Sequence, residues 1–120
     1  MDQSNYASNI VTLSETKQNA FAKINYLEVK KAAAILRAIN HKLRQSIIKL
    51  LEEKSNLTVT EIYVKLRVEQ SVASQHLAIL RRAEIVKTTR EGKNIHYNLN
   101  SLRLEEVNTF VKDLLADDDE

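Results

Sequence analysis

TVTEIYVKLRVEQSVASQHLAILRRAEIVKTTREGKNIHYNL, residues 58–99, decides the fold. Thr58 with Glu61 three positions on is the pattern of a capping box, so a helix is expected from there to near Leu66. Arg67 and Val68 leave a short link before a second helix over about residues 69–83, with Val72, Ala73, Leu77 and Leu80 on its inward face. Gln70, Ser71, Ser74, Gln75 and Arg81 fall on the other side. Residues 85–90 and 95–99 are rich in β-branched side chains. Between them lies Gly92, the sole glycine, able to take the positive φ that a tight turn needs, so a β-hairpin is expected.

Helical periodicity continues on both sides of this stretch. Residues 20–39 carry Ile24, Leu27, Ala32, Ile35, Leu36 and Ile39 at helical spacing, until Asn40-His41 interrupts. A second helix over about residues 43–54 buries Leu43, Ile47, Leu50 and Leu51. A last helix over about residues 102–115 carries Leu104, Val107, Val111, Leu114 and Leu115. The expected fold is mainly α with a small β-hairpin, in the order α-α-α-α-β-β-α of a winged helix-turn-helix. Residues 1–18 form a polar N-terminal arm, residues 19–116 the winged domain, and residues 117–120 an acidic tail that opposes the preceding helix dipole. A domain this small has little core with which to cover its first and last helices. Ile24, Leu27, Ile35, Leu104, Val107, Val111 and Leu114 are therefore expected to form a homodimer interface.

Composition narrows the function. The 120 residues include no proline and no cysteine, which argues against a loop-rich fold and excludes disulfides and thiolate metal sites. The net charge of +2 is unevenly spread. Residues 30–54 hold seven basic side chains against two acidic, residues 65–93 seven against three, and residues 101–120 two against seven, which suits a polyanion at one end. No apolar run approaches the roughly 20 residues of a membrane helix, and no signal peptide opens the chain, so a cytoplasmic location is expected.

Major-groove reading needs short polar side chains near the exposed start of a helix. Gln70, Ser71, Ser74 and Gln75 supply them for base contact. Arg67, Arg81, Lys87, Arg90 and Lys93, with Lys65 and Arg82 beside them, would hold the DNA backbone, adding affinity more than sequence choice.

These residues resemble the ArsR/SmtB family of dimeric repressors. The matching features are Leu43-Arg44 opening the second helix and Gln70-Ser71-x-x-Ser74-x-His76-Leu77-x-x-Leu80-Arg81. Arg90-Glu91-Gly92-Lys93 at the wing turn and His96-Tyr97-x-Leu99 in the returning strand complete the match. The resemblance implies a homodimer that binds double-stranded DNA at an imperfect palindrome and leaves it when an inducer arrives. Family members often carry glycine where this chain has Arg67 and Glu84, and a serine cap where it has Glu69. The family's metal site across the last helices falls on Ser101, Arg103, Leu114 and Asp117, of which only Asp117 could ligate, so no metal and no cofactor is expected. His41 reads as a helix-start residue, His76 as a structural hydrogen-bonding residue and His96 as a strand residue. No inducer is legible: a small organic molecule, a protein antagonist and none at all stay open. The alternative function is a winged-helix interaction module whose partner is another protein. It predicts that removing residues 1–18 and 117–120 abolishes partner binding. No catalytic constellation appears at usable spacing, so an enzyme is not expected.

Overall fold

The computed structural model describes residues 23–116. The polar arm, the start of the expected first helix and the acidic tail lie outside the described residues. Among those described, the order is α1 (Tyr26–Ile39), α2 (Lys42–Glu53), β1 (Leu57–Thr58), α3 (Val59–Leu66), α4 (Gln70–Arg82), β2 (Val86–Glu91), β3 (Asn94–Leu99) and α5 (Ser101–Leu114). The boundary between two compact units falls within α1, between Ala34 and Ile35.

Helix termini follow local chemistry. The first helix begins at Tyr26 rather than near Ala20, and Ile24 precedes it. The Asn25 side chain accepts from the Glu28 N–H at 3.1 Å, the geometry of an N-cap, and a capping Asn holds the chain out of the helix. His41 caps α2, its Nδ1 accepting from the Leu43 N–H at 3.1 Å. The expected capping box on α3 forms in full: Glu61 N–H donates to Thr58 Oγ1 at 3.2 Å, and Thr58 N–H donates to Glu61 Oε1 at 2.9 Å. That backbone donor holds the Glu61 carboxyl below its usual range.

Both helices of the helix-turn-helix end in a Schellman arrangement without glycine. After α3, Val68 N–H donates to Tyr63 O at 3.1 Å and Arg67 N–H to Val64 O at 3.3 Å, with Arg67 left-handed at φ 58°. After α4, Ile85 N–H donates to Leu80 O and Glu84 N–H to Arg81 O, both at 2.9 Å, with Glu84 at φ 62°. An L side chain in that region costs about 1–2 kcal/mol, partly offset by the greater unfolded entropy of glycine. Arg67→Gly is therefore expected to raise stability by up to about 1 kcal/mol in urea unfolding. A loss of stability would show that the Arg67 side chain holds the link.

The sheet departs from expectation by one strand. Leu57 and Thr58 pair antiparallel with Tyr97 and His96, so the hairpin becomes a three-stranded sheet of order β1-β3-β2. In the hairpin, Val86 pairs with Leu99 and Glu91 with Asn94, leaving Gly92 and Lys93 as a two-residue turn. Gly92 takes φ 64°, as the first central residue of a type II′ turn must. The core is built from α2, α3, α4 and the base of the hairpin: Ile47, Ile62, Leu77, Leu80 and Ile85 are wholly buried. Val72, expected inward, is only half-buried, whereas Ala73 beside it is wholly buried.

α5 holds no buried residue. Of the expected dimer residues, Ile35, Leu104 and Val107 pack partly against the core of their own protomer. Ile24, Leu27 and Leu114 are exposed, and Val111 is half-buried. Leu102 and Phe110, which the periodicity did not single out, are also exposed, at 74% and 46%.

Candidate nucleic-acid interface

α4 divides cleanly into two faces. Ala73, Leu77 and Leu80 sit in the core, while Gln70, Ser71, Ser74, Gln75, Ala78, Arg81 and Arg82 are exposed. All four residues expected to contact bases thus lie on the outward face, at the N-terminal half of the helix. Glu69 at the N-cap makes no side-chain capping bond, so the first-turn N–H groups of α4 are open at that end. Ala78, which carries no polar atom to mark it in the sequence, is exposed on the same face. It continues the row set by Ser71, Ser74 and Gln75, and its small side chain lets the helix approach a surface closely or meet a thymine methyl.

Beside this face runs an open groove lined by Ser74, Leu77, Ala78, Arg81, Arg82 and Tyr97. Tyr97 reaches it from β3 because paired residues of an antiparallel hairpin share a face. Val86–Leu99, Thr88–Tyr97 and Arg90–Ile95 make one face, which is buried at its base. Arg90 and Ile95 carry that face out to the wing tip. Lys87, grouped with Arg90 by sequence, pairs with Asn98 and belongs to the opposite face, beside Thr89 and His96. Lys93 is in the turn, and Arg67 is exposed in the link between α3 and α4. Ile95, 41% exposed, is an apolar tip residue that charge-based reading passed over.

The three histidines have assigned partners. His41 caps α2, and His76 accepts from Arg44 at 3.0 Å. His96 donates through Nδ1 to Asn56 O at 3.2 Å, with its Nε2 3.4 Å from Glu91 Oε1. Arg44, one of the seven basic residues of the stretch 30–54, is buried, at 8% exposure. Its burial leaves one cation fewer on the outer surface of α2 for direct contact with a partner.

A half-buried sheet, a helix pair joined by a three-residue link and an outward polar helix beside a wing define a winged helix-turn-helix. The family described as "Bacterial regulatory protein, arsR family" matches residues 41–88. The transcriptional repressor PagR of Bacillus anthracis is 33% identical over 85 residues, spanning 71% of this chain and 85% of that protein. Its crystal structure superposes with a TM-score of 0.59 at 30% identity, over 72% of this chain and 99% of that one. The transcriptional regulator HlyU of Vibrio vulnificus is 36% identical with a TM-score of 0.55, over 76% and 91% of the two chains. A homodimeric winged helix-turn-helix DNA-binding domain from Mycobacterium bovis shares the fold at 20% identity, with a TM-score of 0.59 over 76% and 88%. This chain belongs to the arsR family and is a DNA-binding transcriptional regulator, not an enzyme.

Proposed function

We propose that two copies of this chain bind an imperfect palindrome of double-stranded DNA and repress transcription there. Each copy lays α4 in a major groove, and the two grooves lie roughly 34 Å apart. The observation that carries this reading is the outward row of Gln70, Ser71, Ser74 and Gln75 on a helix whose other face is locked in the core. Gln70, Ser71, Ser74 and Gln75 meet base edges. Arg67, Arg81, Arg90 and Lys93 meet phosphates. Lys87, on the other face of the hairpin, reaches only backbone that curves around the wing. Dimerisation uses the exposed apolar residues of α5, with Leu102 and Phe110 beside Leu114, together with Leu27 of α1 and Ile24 before it. Repression is supported by PagR, which is a transcriptional repressor by name. The protein would act in the cytoplasm, where that DNA is.

We further propose a metal-independent response. Ser101 and Arg103 at the family's last-helix positions offer no metal ligand. The test is selection of duplexes from a random pool, followed by titration with and without zinc at several salt concentrations. Arg90→Ala is expected to weaken selected and random duplexes alike and to lower the salt slope by about 1. Absence of binding to any duplex at low salt would overturn the DNA reading. Release of the selected duplex by zinc would overturn the metal-independent one.

A further inference from the structure

Arg44 is the charged side chain that the protomer buries, among the described residues, and its three bonds join three helices. Nε donates to Ala38 O at 2.6 Å and Nη2 to Arg37 O at 3.1 Å. Both carbonyls belong to the last turn of α1, the negative end of its dipole. Nη1 donates to Nδ1 of His76 at 3.0 Å, in the middle of α4 and 32 positions along the chain. A guanidinium has no acceptor, so Nδ1 of His76 must be bare in this arrangement. His76 immediately follows Gln75 and stands two residues after Ser74. The fork therefore ties the α1–α2 corner to the part of α4 that bears two of the outward residues. The His41 ring lies against His76, with centroids 4.6 Å apart and planes at 40°.

We infer that Arg44 and His76 are positioning residues of the DNA-reading helix, and that the link between them opens on acidification. A proton on Nδ1 turns the acceptor of His76 into a donor that faces a donor. The inference rests on reading α4 as the helix that meets DNA.

Among the described residues, no charge beside His76 would welcome the proton. His41 and Arg44 act on His76 from the α2 side, and both disfavour its cationic form. Burial acts in the same direction and more strongly, holding the His76 imidazole below the usual histidine range. Of the carboxylates on neighbouring elements, Glu61 of α3 is bonded to Thr58, and Glu91 of β2 lies by His96 at the wing tip. Glu52 and Glu53 stand two turns along α2 from Arg44, and Glu69 two turns before His76 on α4. The remaining ionisable groups on these elements are Lys42 and Lys49 of α2, Tyr63 and Lys65 of α3, Lys87 and Arg90 of β2, and Arg81 and Arg82 of α4. None of them is an anion near neutral pH.

The sign follows from the lowered value. The neutral imidazole belongs to the folded state, so its contribution is complete above the ordinary histidine value of 6.5. It is lost as pH falls through the lower folded value. Charge alone predicts the reverse for DNA affinity, because protonated histidines add positive charge against a polyanion.

The experiment uses the full-length protein and a duplex selected from a random pool at about pH 7.5, with affinity read by fluorescence anisotropy at constant ionic strength. The comparison is with His76→Gln, whose side-chain oxygen can accept from Arg44 without titrating. From about pH 7.5 to about pH 5.5 the unmodified protein is expected to lose about tenfold in affinity relative to His76→Gln, the scale of one charge-assisted hydrogen bond. In parallel, NMR should show α4 amide shifts that follow the His76 titration. Parallel pH profiles for the two proteins would overturn the inference, as would α4 amides that ignore His76 protonation. A general packing role would lower the melting temperature of His76→Gln without changing its pH profile relative to the parent, and that result also counts against it. If no duplex binds at either pH, the DNA reading fails by itself, and the NMR titration still judges the link.

Discussion

Leu80→Ala is expected to destabilise the folded protein by about 2–5 kcal/mol, the range for truncating a fully enclosed leucine. Leu80 sits on the inner face of α4 at 0% exposure, within a cluster that includes Ile47, Ile62 and Ile85. Its neighbours in that cluster are apolar, so the space left by the lost carbons holds no partners for a water molecule. Its carbonyl also accepts from Ile85 N–H in the turn that ends α4, so loosening there reaches the start of the hairpin. Urea unfolding at fixed protomer concentration measures the loss, since a dimer's apparent stability depends on concentration. Val64→Ala is the control. Val64 is 62% exposed on α3, outside the surfaces assigned to DNA and to the second copy, and its truncation should change unfolding by no more than about 0.5 kcal/mol. Equal losses for the two substitutions would show that the core is placed wrongly.

Gln75→Ala should reduce discrimination between a selected duplex and random DNA by about 1–3 kcal/mol, or roughly ten- to a hundredfold. Gln75 is exposed at the centre of the outward row of α4, and a glutamine amide can both donate to and accept from adenine. Removing it takes away a base contact and no positive charge, so affinity for random DNA should hold. Competition titrations at one salt concentration read both quantities together. The opposite pattern from Arg90→Ala separates the roles: equal weakening of both duplexes by Gln75→Ala would place that residue on the backbone instead of on a base.

Much of this architecture could be read locally. Thr58 and Glu61 are three residues apart, and their mutual bonds depend on little else. The inward rows of α2 and α4 repeat at helical spacing, so periodicity alone finds Ile47, Leu50, Leu77 and Leu80. Arg67 and Glu84 stand where the family resemblance expects glycine, and the left-handed φ there is what makes such a residue notable. The four outward polar residues of α4 follow from the same periodicity, read on the other face.

What escaped the sequence depends on distant partners. Two residues such as Leu57 and Thr58 have no strand signal of their own, and they become β1 only by pairing with Tyr97 and His96 some forty positions later. Lys87 and Arg90 look alike as wing cations, but the register of the hairpin puts them on opposite faces. Ala78 carries no polar atom, so only the exposure of its face marks it.

The sequence by itself determined the helical segments, the capping box at Thr58, the hairpin turn at Gly92 and the outward polar row, because each follows from contacts within a few residues. Only the tertiary structure decided that Arg44 is an interior residue. Its acceptors are the end of α1 and the middle of α4, and a guanidinium can leave water only where separate elements bring their carbonyls and an imidazole to one point.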